Sequence, residues 1–339
     1  MPQTFIYVSC AASRTIDVFS LDNQTGQPEL RQRLSLPAKP TPLRVTPDGR
    51  LLLVGLREEN ALMTCAIDRT DGERRGRLTI VSSVPLPGAP VYVNSDHAAH
   101  HVFIASYANH LLAIVPLNEG GTPAAVSQVE TDLPHAHAAQ VDASGRWLLV
   151  PTLGEDALRS YQLMPSGKLM PGQPPLFQVR AGSGPRHLVF SPDNRYVYCL
   201  NELDGSVDLF DFDAESGMLA LRQSTRIMPP GFTEAPWSAE LRATPNGAFL
   251  YTSERRSSTL AVLSVDVCNG QLSLFGHYPT ETQPRGMAVD STGRWLMVAG
   301  QLSDHLSIYA LDPATGHPEQ RARIATGGDP ICVETVTLA

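Results

Sequence analysis

No stretch of about 18 apolar residues occurs in this chain, so no segment reads as a membrane-crossing helix. Basic runs are also missing. The 26 Lys and Arg are scattered among 34 Asp and Glu, and the formal net charge is −8. That balance argues against nucleic acid or an anionic membrane surface as the partner. It leaves room for a small anion, because a local group of arginines can dominate its own cleft. Cysteine is sparse: Cys10, Cys65, Cys199, Cys268 and Cys332 are odd in number, far apart and mostly set in apolar runs. They read as reduced thiols of a cytoplasmic protein rather than as disulfides. No CxxC or HExxH spacing occurs, so no metal is expected. The opening "MPQTFIYVSC" has no basic segment leading into an apolar block, and no secretion signal is expected. Helical periodicity is lacking as well, so almost no helix is expected.

What the chain has is repetition. Six short turn motifs recur: "TPDGR", "SDHAAH", "DASGR", "SPDNR", "TPNGA" and "DSTGR". They end at residues 50, 100, 146, 195, 248 and 294, a period of about 49 residues. Each turn is followed by an apolar run such as "YVYCLN" or "WLMVAG", then an alternating segment such as "SVDLFDF", then a fourth strand-like piece. Gly and Asn suit the turns because they tolerate positive φ. Four strands per repeat is the pattern of a β-propeller blade. The N-terminal "TFIYVSCAASRTIDVFSLD" supplies a second and third strand with no first, and the C-terminal "DPICVETVTLA" supplies a first strand alone. Six full units and one shared unit predict an all-β, seven-bladed propeller of antiparallel blades, with residues 1–339 as one domain. The terminal strands close the ring and leave few free edges.

Aligning the repeats on their turns isolates two columns. Nine residues before each turn end stand Thr41, Val91, His137, Arg186, Ala239 and Arg285, with Ile331 in the shared blade. Seven residues after it stand Arg57, Tyr107, Leu153, Glu202, Arg255 and Gln301, with Ala11 in the shared blade. The first column begins the innermost strand and the second ends its antiparallel neighbour, so both face one central mouth. Propellers put small-molecule sites at such a mouth, because every blade can contribute a loop end. Arginine forks suit phosphate or carboxylate oxygens, and one of them can stabilise an oxyanion. Glu202 and His137 are the candidate proton acceptors, the histidine titrating near neutrality by default.

Each candidate also has a bland reading. Arg186, Arg285 and Glu202 can form structural ion pairs; Arg57 and Arg255 can be solvated rim residues; His135 and His137 can be ordinary loop histidines. Arg256 should point away from Arg255. His97, His100 and His101 lie in a hairpin turn and are expected to face solvent. Trp147 and Trp295 share one blade position and are expected in the core.

"GPRHLVFSPDNRYVYCLNEL" and "PTETQPRGMAVDSTGRWLMVAGQ" resemble the cycloisomerase-type 6-phosphogluconolactonases of enteric bacteria, the propeller form of that enzyme. "VGLREEN", "ASYANH" and "SERRSSTLAV" match in order. The resemblance runs over essentially the whole chain. It implies a seven-bladed propeller that hydrolyses 6-phospho-D-glucono-1,5-lactone; a strained lactone is already reactive, so no cofactor or metal is expected. In a fungal branch acting on carboxy-cis,cis-muconate and its lactone, the implicated set maps onto His137, Arg186 and Glu202, with a further arginine at Arg285. The family often reads "SYNAGN" where this chain has "SYANHL", which displaces the asparagine to Asn109. The expectation is a lactone hydrolase with His137, Arg186 and Glu202 as catalytic residues. Arg57, Tyr107, Arg255, Arg285 and Gln301 would hold a phosphorylated sugar lactone; the sequence leaves the oligomeric state open, a monomer included. A muconate-type lactone as substrate, or a non-enzymatic scaffold, are the rivals.

Overall fold

A computed structural model describes residues 2–339. Its strands fall into seven four-stranded antiparallel sheets. Six follow chain order from the axis outward. In the remaining one, blade 1, the inner strand is Pro330–Leu338 and the outer three are Gln3–Cys10, Thr15–Leu21 and Pro28–Ser35. The pairing that closes the ring runs from Gln3 opposite Leu338 to Cys10 opposite Pro330. Among the described residues the only helical pieces are two three-residue 3-10 turns, Glu119–Gly121 and Leu153–Glu155.

The core is divided rather than central. Seven apolar clusters each lie between two neighbouring blades. Trp147 packs between blades 4 and 5, and Trp295 between blades 7 and 1, both buried as expected. Burial on both faces explains why the two middle strands of each blade are apolar almost throughout. Polar alternation appears only in the outermost strands, such as Pro28–Ser35.

The recurring turns share one backbone state. The residue before each turn end has positive φ: Gly49, Ala99, Gly145, Asn194, Gly247 and Gly293. Glycine and asparagine take it cheaply, whereas Ala99 in "SDHAAH" adopts it without that freedom. The three histidines near this turn do not behave alike. His97 and His100 are exposed. His101, expected in solvent, instead begins a strand with Nδ1 2.8 Å from Asp96 Oδ2 and a side chain only 15% exposed.

The inner strands carry the feature that matters most for the site. In Pro185–Phe190, Pro185 opposes Asn201 and His187 opposes Leu200, so Arg186 is an extra residue. In Pro284–Val289, Pro284 opposes Gly300 and Gly286 opposes Ala299, which leaves Arg285 extra. The same irregularity takes in Thr41, Ala239 and Ile331. Five of the seven residues of the column at the mouth therefore sit in β-bulges, which re-aim side chains out of the ladder.

Candidate active site

The second column sits just past the ends of the second strands. Glu202 follows Tyr196–Asn201, Arg255 follows Phe249–Glu254, and Gln301 follows Trp295–Gly300. Together with the inner column they surround one end of the axial channel. A small cavity of about 40 Å3 opens there, and Arg57, Arg186 and Arg285 are among its lining residues.

Arg186 is 2% exposed, among the most deeply buried large side chains in the protein. Its Nε lies 2.8 Å from Glu202 Oε2, an ion pair in which the N–H points off the line to the oxygen. Its Nη1 donates to the Ala239 carbonyl and, at 3.0 Å, to His187 Nε2. Arg255 Nη2 reaches the same Glu202 oxygen at 3.1 Å. Both guanidiniums converge on Oε2. Arg255 is further tied down: Nε donates to the Trp237 carbonyl at 3.0 Å and Nη2 to that of Ser238 at 3.2 Å. Its guanidinium carbon lies 3.8 Å from the centroid of the Trp237 ring. Arg256 is exposed and turned to Glu234, 4.0 Å away. Trp237 thus anchors the end of segment 228–240 beneath Arg255.

Arg57 and Arg285 are different. Among the described residues neither has a carboxylate within ion-pair distance. Burial, then the charges of Arg186 and Arg57, bring the Arg285 guanidinium down to about 10. Burial, then Arg186, brings Arg255 down to about 8 despite Glu202. Four guanidiniums around one carboxylate make a site short of negative charge.

His137 precedes the short inner strand Gln140–Val141, and its backbone N–H donates to the Pro151 carbonyl at 3.1 Å. It is 5% exposed and its Nδ1 has no partner. Burial, then Arg186, His187 and Arg285, hold it well below the usual imidazole range. Titration near neutrality was the default expectation for this residue; in the structure it is neutral there, because an imidazolium would join a crowd of cations in a dry place. Tyr107 stacks on His135 at 4.3 Å and meets the His137 ring edge-on at 5.6 Å. His135 is a half-buried link between Tyr107 and His110, whose ring is 4.8 Å away. Gln301 has both ends of its amide engaged, donating to Asp329 Oδ1 at 2.8 Å and accepting from Gln283 at 3.0 Å. The displaced Asn109 accepts from the backbone of Ala89 and from Ser106, both at 3.0 Å, and so holds an inter-blade link.

Two important residues lie one column further along the repeats. His187 and Glu240 occupy the position after Arg186 and Ala239 on adjacent blades, and His187 Nδ1 is 2.6 Å from Glu240 Oε1. Deeper in the channel, Arg242 pairs with Glu240 at 3.6 Å and with Glu334 at 3.3 Å. Arg44 reaches Glu334 at 3.7 Å. The readable signal is a polar residue inside an otherwise apolar inner strand, in "PRHLVF" and "SAELRA".

Known proteins share the fold. The sequence profile described as "Lactonase, 7-bladed beta-propeller" matches residues 5–335. The chain is 37% identical over 336 residues to a 6-phosphogluconolactonase of Pectobacterium carotovorum subsp. carotovorum (strain PC1), covering 99% of both chains. It is 36% identical over 328 residues to a 6-phosphogluconolactonase of Serratia proteamaculans (strain 568), covering 97% of each. Among solved structures, the periplasmic gluconolactonase of Pseudomonas aeruginosa superposes with a TM-score of 0.90 at 27% identity, over 100% of both chains. Ring closure, blade count and full-length kinship agree, and the chain belongs to the seven-bladed β-propeller lactonase family.

Proposed function

We propose that this protein hydrolyses 6-phospho-D-glucono-1,5-lactone to 6-phospho-D-gluconate at the arginine-lined mouth. The full-length relatives support the reaction. The observation that carries the site is the pair of guanidiniums, Arg57 and Arg285, left without carboxylates beside a buried Arg186. A phosphate dianion supplies the charge that is missing there, and arginine forks match its oxygens. Arg255 stays with Glu202 and shapes the site rather than holding phosphate.

Water adds to the lactone carbonyl, and the oxygen that becomes negative is stabilised by Arg186. Its Nη2 is the guanidinium edge that no protein group takes. The ring C–O bond then breaks, and the departing oxygen receives the proton that His137 took from water, becoming the hydroxyl of the open-chain acid. His137, neutral and so carrying a free lone pair, takes the proton from water. Protonating Glu202 instead would strip two buried arginines of their shared counter-ion, which is costly. Burial is the main cause of the lowered basicity of His137; a bound phosphate offsets only the part that comes from Arg186 and Arg285. Tyr107 and His135 wall one side of the mouth. One domain, acting as a monomer in the cytoplasm, suffices for this chemistry; the five unpaired cysteines support that location.

The test is hydrolysis of freshly generated 6-phosphogluconolactone by wild type and Arg186→Ala, with the spontaneous rate subtracted and gluconolactone as the unphosphorylated control. A large excess rate, lost in the variant and weaker with gluconolactone, is the expected outcome. No excess rate from folded wild type would remove the proposal, and equal turnover of gluconolactone would remove the phosphate site.

A further inference from the structure

Arg186 is useful only if one edge of its guanidinium stays aimed at the mouth. Glu202 takes Nε and the Ala239 carbonyl takes part of Nη1, but neither sets the charge state of what lies behind. Behind it stands His187, 7% exposed, with Nε2 3.0 Å from Arg186 Nη1 and Nδ1 2.6 Å from Glu240 Oε1. A guanidinium is always a donor, so Nε2 must be an acceptor. The proton then sits on Nδ1 and is donated to Glu240. Each atom in the line has one role that works: Arg186 N–H to His187 Nε2, His187 Nδ1–H to the Glu240 carboxylate.

We propose that His187, oriented by Glu240, is a positioning residue for Arg186. It fixes the guanidinium from behind and leaves Nη2 to meet the oxyanion. The inference rests on the hydrolase assignment above. Arg242, which faces Glu240, keeps that carboxylate ionised, and burial keeps His187 neutral, at about 4. A charged imidazole at this place would confront Arg186 with a second cation. The pair lies on neighbouring blades, so it also ties the aim of Arg186 to the packing of blade 5 against blade 6.

Three substitutions separate positioning from packing. His187→Phe keeps an aromatic ring but offers no acceptor. His187→Gln places its Oε1 near the position of Nε2 and restores one. Glu240→Gln keeps the shape of the carboxylate but removes its charge, so it holds Nδ1–H less firmly and loosens the aim of Nε2 at Arg186. Since about 1 Å of misplacement can cost roughly 10²-fold in rate, kcat should fall about 10- to 100-fold in His187→Phe and Glu240→Gln. KM should change less than threefold or so, and His187→Gln should recover most of the loss. A packing role predicts the reverse order, with His187→Phe better than His187→Gln, and that order would overturn the proposal.

Nitrogen-15 NMR of histidine-labelled wild type gives a readout that needs no activity. Near pH 7 the His187 signals, assigned against His187→Gln, should show a pyrrole-like Nδ1 and a pyridine-like Nε2. A charged ring, or the opposite tautomer, overturns the proposal. If wild type turns over no lactone, the hydrolase assignment fails, while the tautomer still decides whether this line of hydrogen bonds exists.

Discussion

Two neutral histidines buried among arginines should make the stability of this protein depend on pH in a calculable way. Burial brings His187 from 6.5 down to about 4. In the unfolded chain the imidazole takes up a proton below about pH 6.5, whereas in the folded protein it does not until much lower. The unfolded state therefore binds more protons as pH falls, and stability is lost in that direction. Between about pH 7.5 and pH 5 the linkage for His187 amounts to about 2 kcal/mol. His137 is lowered well below 6.5, chiefly by burial, and adds to the loss in the same direction. The window stops above the range where Glu240, pushed down to about 2, would begin to matter with its own loss of stability at lower pH. Urea unfolding at several pH values, on wild type and His187→Gln side by side, measures the effect. The variant is less stable at neutral pH yet loses about 2 kcal/mol less on acidification. Identical pH slopes in the two proteins would mean that His187 is not held neutral, and the reasoning would fail.

Arg285→Ala should raise KM for the phosphorylated lactone about tenfold or more, from loss of about 2 kcal/mol of charge-assisted bonding. The same variant should leave gluconolactone turnover nearly unchanged, and steady-state kinetics on both lactones checks it. Gly286 marks a close approach between blades: a Cβ there would lie 2.4 Å from the Ile331 carbonyl oxygen and 2.7 Å from Cys332 Cα. Gly286→Ala should therefore destabilise the fold by about 1–3 kcal/mol, read as a lower urea midpoint. A chain ending before Pro330 loses the inner strand of blade 1 and exposes Gln3–Cys10 as an edge. It should aggregate or remain unfolded, and size-exclusion chromatography would show a soluble monomer if ring closure were dispensable.

The blades were legible because a period of about 49 residues repeats the same turn and strand order. Even the shared blade could be assembled from its two fragments. The arginines were legible for the same reason, since Arg186 and Arg285 fall in one aligned column. Their β-bulges were not, because a residue added without a partner leaves no mark in an apolar run. The next column holds His187 and Glu240, and only their position on adjacent blades turns two isolated polar residues into a pair. The allotment of charges was also out of reach of the alignment. Arg57 and Arg255 look equivalent as rim cations, yet Trp237 and Glu202 claim the second and leave the first free. His101 has the same origin: its neighbour Asp96 draws it out of solvent through a contact that no turn motif specifies.

Ring closure sets a timetable for synthesis. The strand that completes blade 1, Pro330–Leu338, is translated some 295 residues after Pro28–Ser35, the outermost strand of that blade. At about 5–20 residues per second the wait is roughly 15–60 s. During that interval the N-terminal strand Gln3–Cys10, apolar and buried in the finished ring, has an unsatisfied hydrogen-bonding edge on a nascent chain. Blades 2 to 6 can pack on one another as they emerge from the ribosome. The first one made is the last one finished, so it is where a chaperone would have most to do.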